Sequence, residues 1–134
     1  MRDHQDASDE MLLRLRTVCL SLPEVIEERA WVGTRWRIRT KTFAHVVPIE
    51  DGWPPAYVRA AGSNGPITVL TVRVSGPDHA AIRAAGHPFF VPPWFTDIVG
   101  VILDAITDWD EIAELITESY RVLAPKKLRD LTMP

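Results

Sequence analysis

Hydrophobic residues near the N-terminus recur every three or four positions, which is the spacing of one face of an α-helix. The stripe consists of Met11, Leu12, Leu15, Val18, Cys19 and Leu22. Asp6 or Ser8 can cap this helix, and Pro23 is expected to end it. Cys19 lies on the apolar stripe, so we expect it to pack in the core rather than react.

A second helical stripe lies near the C-terminus. Asp108-x-x-Glu111 resembles a capping box and predicts the start of a long helix. Its apolar face is Ile112, Leu115, Ile116, Ser119 and Val122. A short alanine-rich helix is also predicted from Gly76 to about Ala85.

The middle of the chain is predicted to be antiparallel sheet, with apolar and polar residues alternating most clearly around residue 36 and a continuous apolar run at 98–103. Strands are expected near 28–33, 35–39, 42–48, 55–60, 67–74 and 98–103. Residues 86–95 hold too many prolines for a helix and predict an apolar loop. The fold class is therefore α+β, an antiparallel β-sheet flanked by N-terminal and C-terminal helices. We expect a single domain over residues 1–134, with 1–8 a flexible segment.

Arg35, Arg37 and Arg39 stand at every second position of one predicted strand, so they share a face. Trp36 and Ile38 alternate with them and should be buried. A hairpin about Thr40-Lys41 would set residue 36 opposite 45 and residue 37 opposite 44. No acidic residue occurs between Glu28 and Glu50. In this register the arginines have no carboxylate beside them.

The charge is segregated along the chain, although the net charge is only −3. Residues 29–83 carry eight basic and three acidic groups, whereas 84–120 carry seven acids and no Lys or Arg. Phosphate could relieve the repulsion between the arginines, and so could the acidic face of the final helix or a second subunit. A solvated row of arginines is the third alternative.

The residues that usually carry catalysis are scattered. The four histidines show no metal-ligand spacing, and His45 is expected to be structural. The acids around Asp108 are interpreted as helix caps rather than metal ligands. One cysteine excludes an internal disulfide. We expect no cofactor, no obligate metal, no enzymatic activity and a cytoplasmic location. No apolar run reaches the roughly 18 residues of a membrane span, so no membrane partner is expected.

Several stretches, taken in order over about residues 12–131, resemble the bacterial MmcQ/YjbR family. They are Leu22-Pro23-Glu24-Val25, Trp36-Arg37-Ile38-Arg39-x-Lys41-x-Phe43-Ala44, His87-Pro88-Phe89-Phe90, Asp108-Trp109-Asp110-Glu111 and Ser119-Tyr120-Arg121-Val122-Leu123-Ala124-Pro125-Lys126-Lys127-Leu128. The resemblance implies a CyaY-like, double-wing fold and DNA binding. It departs at Thr40, where the family pattern has glycine before the lysine.

Two functional hypotheses follow from the residues and the resemblance. The first is a DNA-binding or regulatory module, and its expected phosphate-binding residues are Arg35, Arg37, Arg39, Lys41, Lys126 and Lys127. The second is a protein-interaction or small-ligand domain with the Pro/aromatic loop 87–95 at its site. Its expected pocket residues are His87, Phe90, Trp94 and Phe95. Segregated charge also suggests self-association.

Overall fold

The computed structural model describes residues 6–94 and 97–132. In chain order its elements are α1 Asp9–Cys19, β1 Val25–Arg29, β2 Thr34–Ile38, β3 Lys41–Ile49, α2 Pro55–Ala61, β4 Ile67–Arg73, α3 Gly76–Ala85, β5 Phe89–Phe90, β6 Ile98–Leu103, α4 Trp109–Leu123 and α5 Lys126–Asp130. The strands form one antiparallel sheet in the order β1-β2-β3-β4-β6-β5. The α+β class predicted from the sequence is confirmed.

The main core lies between one face of this sheet and helices α1 and α4. Alternation sends Trp36 and Ile38 of β2 into it, with Leu15 of α1 and Ile116 of α4 packed against them. The other face carries a smaller apolar cluster under α2, built on Val47, Ile49 and Val69 together with Val32 of the β1–β2 loop. The two faces therefore differ in cover: one is packed under long helices, the other under one short helix.

Both predicted helix starts are found. The Ser8 side chain accepts from the Met11 N–H, and the Asp108 side chain accepts from the N–H groups of Asp110 and Glu111. These bonds satisfy backbone donors that have no partner within a helix. Helix α1 ends at Cys19, about one turn before Pro23.

The predicted register of the β2–β3 hairpin is wrong by one residue up to Trp36 and by two residues from Arg37 onward. Trp36 pairs with Ala44 and Arg37 with Thr42, so Phe43 is an extra residue in β3. This bulge turns Phe43 toward the main core, where Ala44 also points. Core packing of the Phe43 ring against Tyr120 accompanies the shift.

Two local predictions are also corrected. The segment near 55–60, predicted as a strand, is helix α2. The helix begins at Pro55 and ends at Ala61, and Gly62 after it adopts the left-handed conformation. Proline at the first helical position and glycine after the last are both favourable for a helix. Phe89–Phe90, predicted to lie in a loop, form the short strand β5 against β6.

The predicted flexible segment 1–8 is described from residue 6 onward. The Thr34 hydroxyl donates to Asp6 Oδ2 at 2.6 Å, and Ala7 belongs to the main core. Across the described ranges, no helix combines the length and apolarity that crossing a membrane requires.

Candidate anion-binding face

Arg35 and Arg37 project from the sheet face opposite α1 and α4, because the alternate residues Trp36 and Ile38 fill the main core. Arg39 is not in the strand; it occupies the tight β2–β3 turn with Thr40. Lys41 starts β3, pairs with Ile38 and is exposed. We call Arg35 and Arg37, together with Arg39 and Lys41 of the adjoining turn and strand end, the basic face.

The expectation that these arginines have no carboxylate beside them is wrong. Strand β1 runs along the other edge of β2 and sets Glu28 opposite Arg35. Glu28 Oε1 lies 2.5 Å from Arg35 Nε and 2.9 Å from Arg37 Nε. The Arg37 contact is an ion pair without hydrogen-bond geometry, so this buried N–H has no hydrogen-bond acceptor. Two cations therefore share one carboxylate.

The third arginine has a separate partner. Arg39 Nη1 lies 3.0 Å from Glu24 Oε1. Both residues adopt left-handed backbone conformations, with φ of 57° for Arg39 and 59° for Glu24. Residues with a Cβ disfavour this left-handed region, whereas glycine adopts it readily. The family pattern has glycine at position 40, where this chain has Thr40. The strained, left-handed residue of this turn is its neighbour Arg39.

His45 sits beside the basic face, directly opposite Arg35 on β3. Its Nε2 donates to the Val32 carbonyl at 2.7 Å, which leaves Nδ1 to accept from the Tyr57 hydroxyl at 3.3 Å. Burial lowers the pKa of His45, and the nearby Arg35 charge adds to this effect, while the bond to Val32 opposes it. Burial also raises the pKa of Tyr57 to about 12. This pair is held neutral and is occupied by structural bonds.

The lowered pKa of His45 predicts a loss of stability in mild acid. Above about pH 6.5 His45 is neutral in both states; below it the unfolded chain binds a proton that the folded chain resists. The free energy of unfolding should therefore fall from pH 7.5 toward 5.5, and less so in His45→Gln. Urea titrations at both pH values measure this. His87→Gln, which removes an exposed histidine, should keep the wild-type dependence; equal slopes in all three proteins would contradict the assignment.

The C-terminal lysines are not on the basic face. Lys126 and Lys127 are exposed on α5, whose Leu128 packs into the main core on the helix-covered side of the sheet. Lys126 Nζ lies 2.8 Å from Asp130 Oδ2, and this bond lowers the pKa of Asp130. Arg35 and Arg37 lie on the other face, so the structure separates residues that the sequence hypothesis grouped.

The expected aromatic pocket is also divided. His87 lines a cavity at one end of the sheet with Asp104, whereas the Phe90 ring lies against Gly100 of β6. Trp94 packs edge-on against Tyr57, with ring centroids 4.8 Å apart, and remains 37% exposed. Phe95 lies outside the described residues. Of the three described residues, Trp94 alone lines a groove beside α3.

The other candidates for a reactive thiol or a metal site do not form such a site in the described residues. Cys19 is fully buried, and burial raises its thiol pKa. Within residues 6–94 and 97–132, no group of three or more His, Cys, Asp or Glu side chains is arranged to hold a metal ion. Asp108 caps α4, as the sequence predicted, and Asp110 and Glu111 lie in its first turn, where negative charge is favourable.

The pairing of Glu28 and Glu24 with the arginines was missed from the sequence. A strand placed at Val25–Arg29, three residues earlier than predicted, sets Glu28 opposite Arg35 across the connection at 30–33. Gly33 lies in that connection and adopts a φ of 73°. Tyr57 was missed because its segment was predicted to be a strand.

Comparison with known proteins bears on the identity of the chain. A crystal structure of a Pseudomonas syringae protein shares the fold, with a TM-score of 0.62, 14% identity, and coverage of 86% of this chain and 98% of the other. A Deinococcus radiodurans protein with a DUF419 domain gives a TM-score of 0.62 at 20% identity, covering 92% of this chain and 88% of the other. No curated protein of known function matches the sequence.

The sequence model of one family spans most of the chain. It is the YjbR model, which matches residues 20–122 and so includes every strand, the basic face and most of α4. The two solved structures agree with that match at the level of fold. The resemblance drawn from the sequence is confirmed, and this chain belongs to the YjbR family.

Proposed function

We propose that the chain is a non-enzymatic DNA-binding or regulatory module that contacts DNA phosphates through the basic face. The observation that carries the proposal is a local excess of cations: Arg35, Arg37 and Arg39 meet two carboxylates. Lys41 adds an exposed charge at the edge. The proposal keeps the cytoplasmic location expected from the sequence.

The side chains are placed so that an anion can reach them. The side chains of Arg35, Arg37 and Arg39 are 42%, 26% and 57% exposed. Guanidinium binds phosphate through two parallel hydrogen bonds, a geometry that suits DNA backbones. Glu28 orders two of these groups while leaving the Arg37 Nε hydrogen without an acceptor.

The strained turn supports a binding role for Arg39. Holding a non-glycine residue at positive φ costs about 1–2 kcal/mol. The turn keeps an arginine there rather than a glycine, and the guanidinium it displays is the most exposed of the three. Strain retained at a position that presents a cation is consistent with function, since local strain concentrates at binding sites.

The partial neutralisation of the arginines sets the expected affinity. DNA must compete with Glu24 and Glu28 for the same guanidiniums, so binding should be weak and strongly weakened by salt. Contacts made to phosphate alone carry no sequence information. We therefore expect little preference among DNA sequences.

Arg39→Gly tests the proposal without disturbing the turn. Glycine relieves the strained φ, while the lost ion pair is exposed and worth about 0–1 kcal/mol, so stability should change by less than about 1 kcal/mol. Affinity for a short labelled DNA duplex, measured by fluorescence anisotropy at low salt, should fall several-fold. Single-stranded DNA of the same sequence gives the second titration.

Thr40→Gly is the matched control, because it changes the neighbouring turn residue and leaves every charge in place. It should bind DNA like the wild type. Equal affinity of Arg39→Gly and the wild type, or an equal loss in both glycine variants, would contradict a phosphate contact at Arg39.

The second function, a protein-interaction or small-ligand domain at the loop 87–95, is favoured by one observation. Trp94 keeps more than a third of its surface exposed and lines a groove. His87 and Phe90 lie elsewhere, so this site would be smaller than the sequence predicted and would centre on Trp94.

A further inference from the structure

A slot between α3 and the proline-rich segment after β5 has the features of a small-molecule site. One wall is a face of α3 with Gly76 and Ala80, which lack bulky side chains, and the other is Val91, Pro92, Pro93 and Trp94. Its volume is about 580 Å³. That value falls within the roughly 300–1,000 Å³ typical of ligand pockets. The slot shares no lining residue with the basic face.

The slot holds a buried polar atom that the protein leaves unpaired. His79 is 7% exposed, and its Nε2 has no hydrogen-bond partner among the described residues. Buried polar atoms are nearly always hydrogen-bonded, and an unpaired one is costly. Since His79 is among the residues that line the slot, a ligand there can supply the missing partner.

A cation stands one helical turn from this histidine. Arg83 follows His79 at the i, i+4 spacing, so both side chains belong to the same face of α3. Arg83 is exposed, and within the described parts of the chain it has no ion-pair partner. One guanidinium and one ring nitrogen can together donate to a single anionic group.

The rest of the slot is apolar and flat. Trp94 presents an aromatic surface that is partly open, and the two prolines beside it add rigid apolar walls. Such surfaces favour a planar ring. The donors are few, which suits one carboxylate better than a phosphate with its three exposed oxygens.

We propose that this slot binds a small aromatic carboxylate, with its carboxylate held by Arg83 and His79 Nε2 and its ring against Trp94. The proposal rests on the second function above, the small-ligand site at Trp94, and does not require DNA binding. Both the neutral Nε2–H tautomer of histidine and the imidazolium can donate from this atom. Substitution of Arg83 should therefore weaken binding without removing the apolar contact.

Phenylacetate and its uncharged analogue phenylacetamide are the probes. Ligand-observed NMR with the full chain should detect phenylacetate binding, and phenylacetamide should bind at least about tenfold more weakly, which corresponds to the loss of one charge-assisted hydrogen bond. Arg83→Gln should weaken phenylacetate binding by a similar factor. Arg59→Gln, which removes an exposed arginine from α2, and Arg35→Ala/Arg37→Ala should bind phenylacetate as the wild type does.

A second readout reports on the histidine directly. The Nε2 resonance of His79 is identified by its absence from the ring ¹⁵N spectrum of His79→Gln. It should shift when phenylacetate is added to the wild type and stay in place with phenylacetamide. Absence of phenylacetate binding, equal binding of the amide, wild-type affinity in Arg83→Gln, or an unmoved Nε2 resonance would each overturn the proposal.

Discussion

Gly33→Ala should destabilise the fold by at least about 3 kcal/mol, because the new methyl group has no space. A Cβ at this position would lie 1.8 Å from the Val46 carbonyl oxygen, which belongs to the backbone of β3. The residue also has a φ of 73°, where alanine is strained. The β1–β2 connection would have to move away from β3, and Val32, whose carbonyl binds His45, would move with it.

Gly62→Ala provides a closely matched control. Gly62 has nearly the same φ, 72°, but its Cβ would meet no atom within 4 Å. It should cost about 1 kcal/mol from backbone strain alone. Urea unfolding followed by tryptophan fluorescence compares the two variants. If Gly33→Ala were no less stable than Gly62→Ala, the close approach of the β1–β2 connection to β3 would be contradicted.

Glu28→Gln should strengthen DNA binding about fivefold or more. The carboxylate that it neutralises lies within ion-pair distance of Arg35 and Arg37, so the substitution frees two guanidiniums at once. Removing one competing charge from a phosphate site is equivalent to adding about one phosphate contact. The cost in stability should stay below about 1 kcal/mol, since the pair is partly exposed.

Two further variants separate a local effect from one of net charge. Glu118→Gln changes the net charge equally, but Glu118 lies on α4, which packs on the opposite face of the sheet, and its affinity should stay near that of the wild type. Arg35→Ala/Arg37→Ala should lose at least about tenfold in affinity. A gain in Glu118→Gln equal to that in Glu28→Gln would mean that DNA responds to overall charge rather than to the basic face.

Short sequence patterns predicted the starts of α1 and α4 and the buried side of β2, because these features depend on residues close together in the chain. Ser8 and Asp108 cap helices because their side chains reach N–H groups only two or three residues away. The alternation of Trp36 and Ile38 with arginines likewise fixes which side is buried. Helix α2 was missed although Pro55 and Gly62 bound it in the usual helical manner.

The contacts of the basic face could not be predicted from residues adjacent in the sequence. Glu28 and Arg35 are seven residues apart and meet because of the length of the β1–β2 connection. The bulge at Phe43 shifts the β2–β3 register, and it accompanies packing against Tyr120, which is far away in the chain. The sequence did not indicate His79 as a binding residue. Its Nε2 lacks a hydrogen-bond partner because of tertiary packing, which neighbouring residues in the sequence do not reveal.

A salt titration of DNA binding by the unmodified protein tests the central claim most directly. If Arg35, Arg37 and Arg39 each neutralise one phosphate, the logarithmic slope against salt should approach about −2.7. Duplex affinity should then fall about fortyfold between about 50 mM and 200 mM salt. Absence of binding at the lower concentration, or binding that salt does not weaken, would contradict a phosphate-binding role for this face.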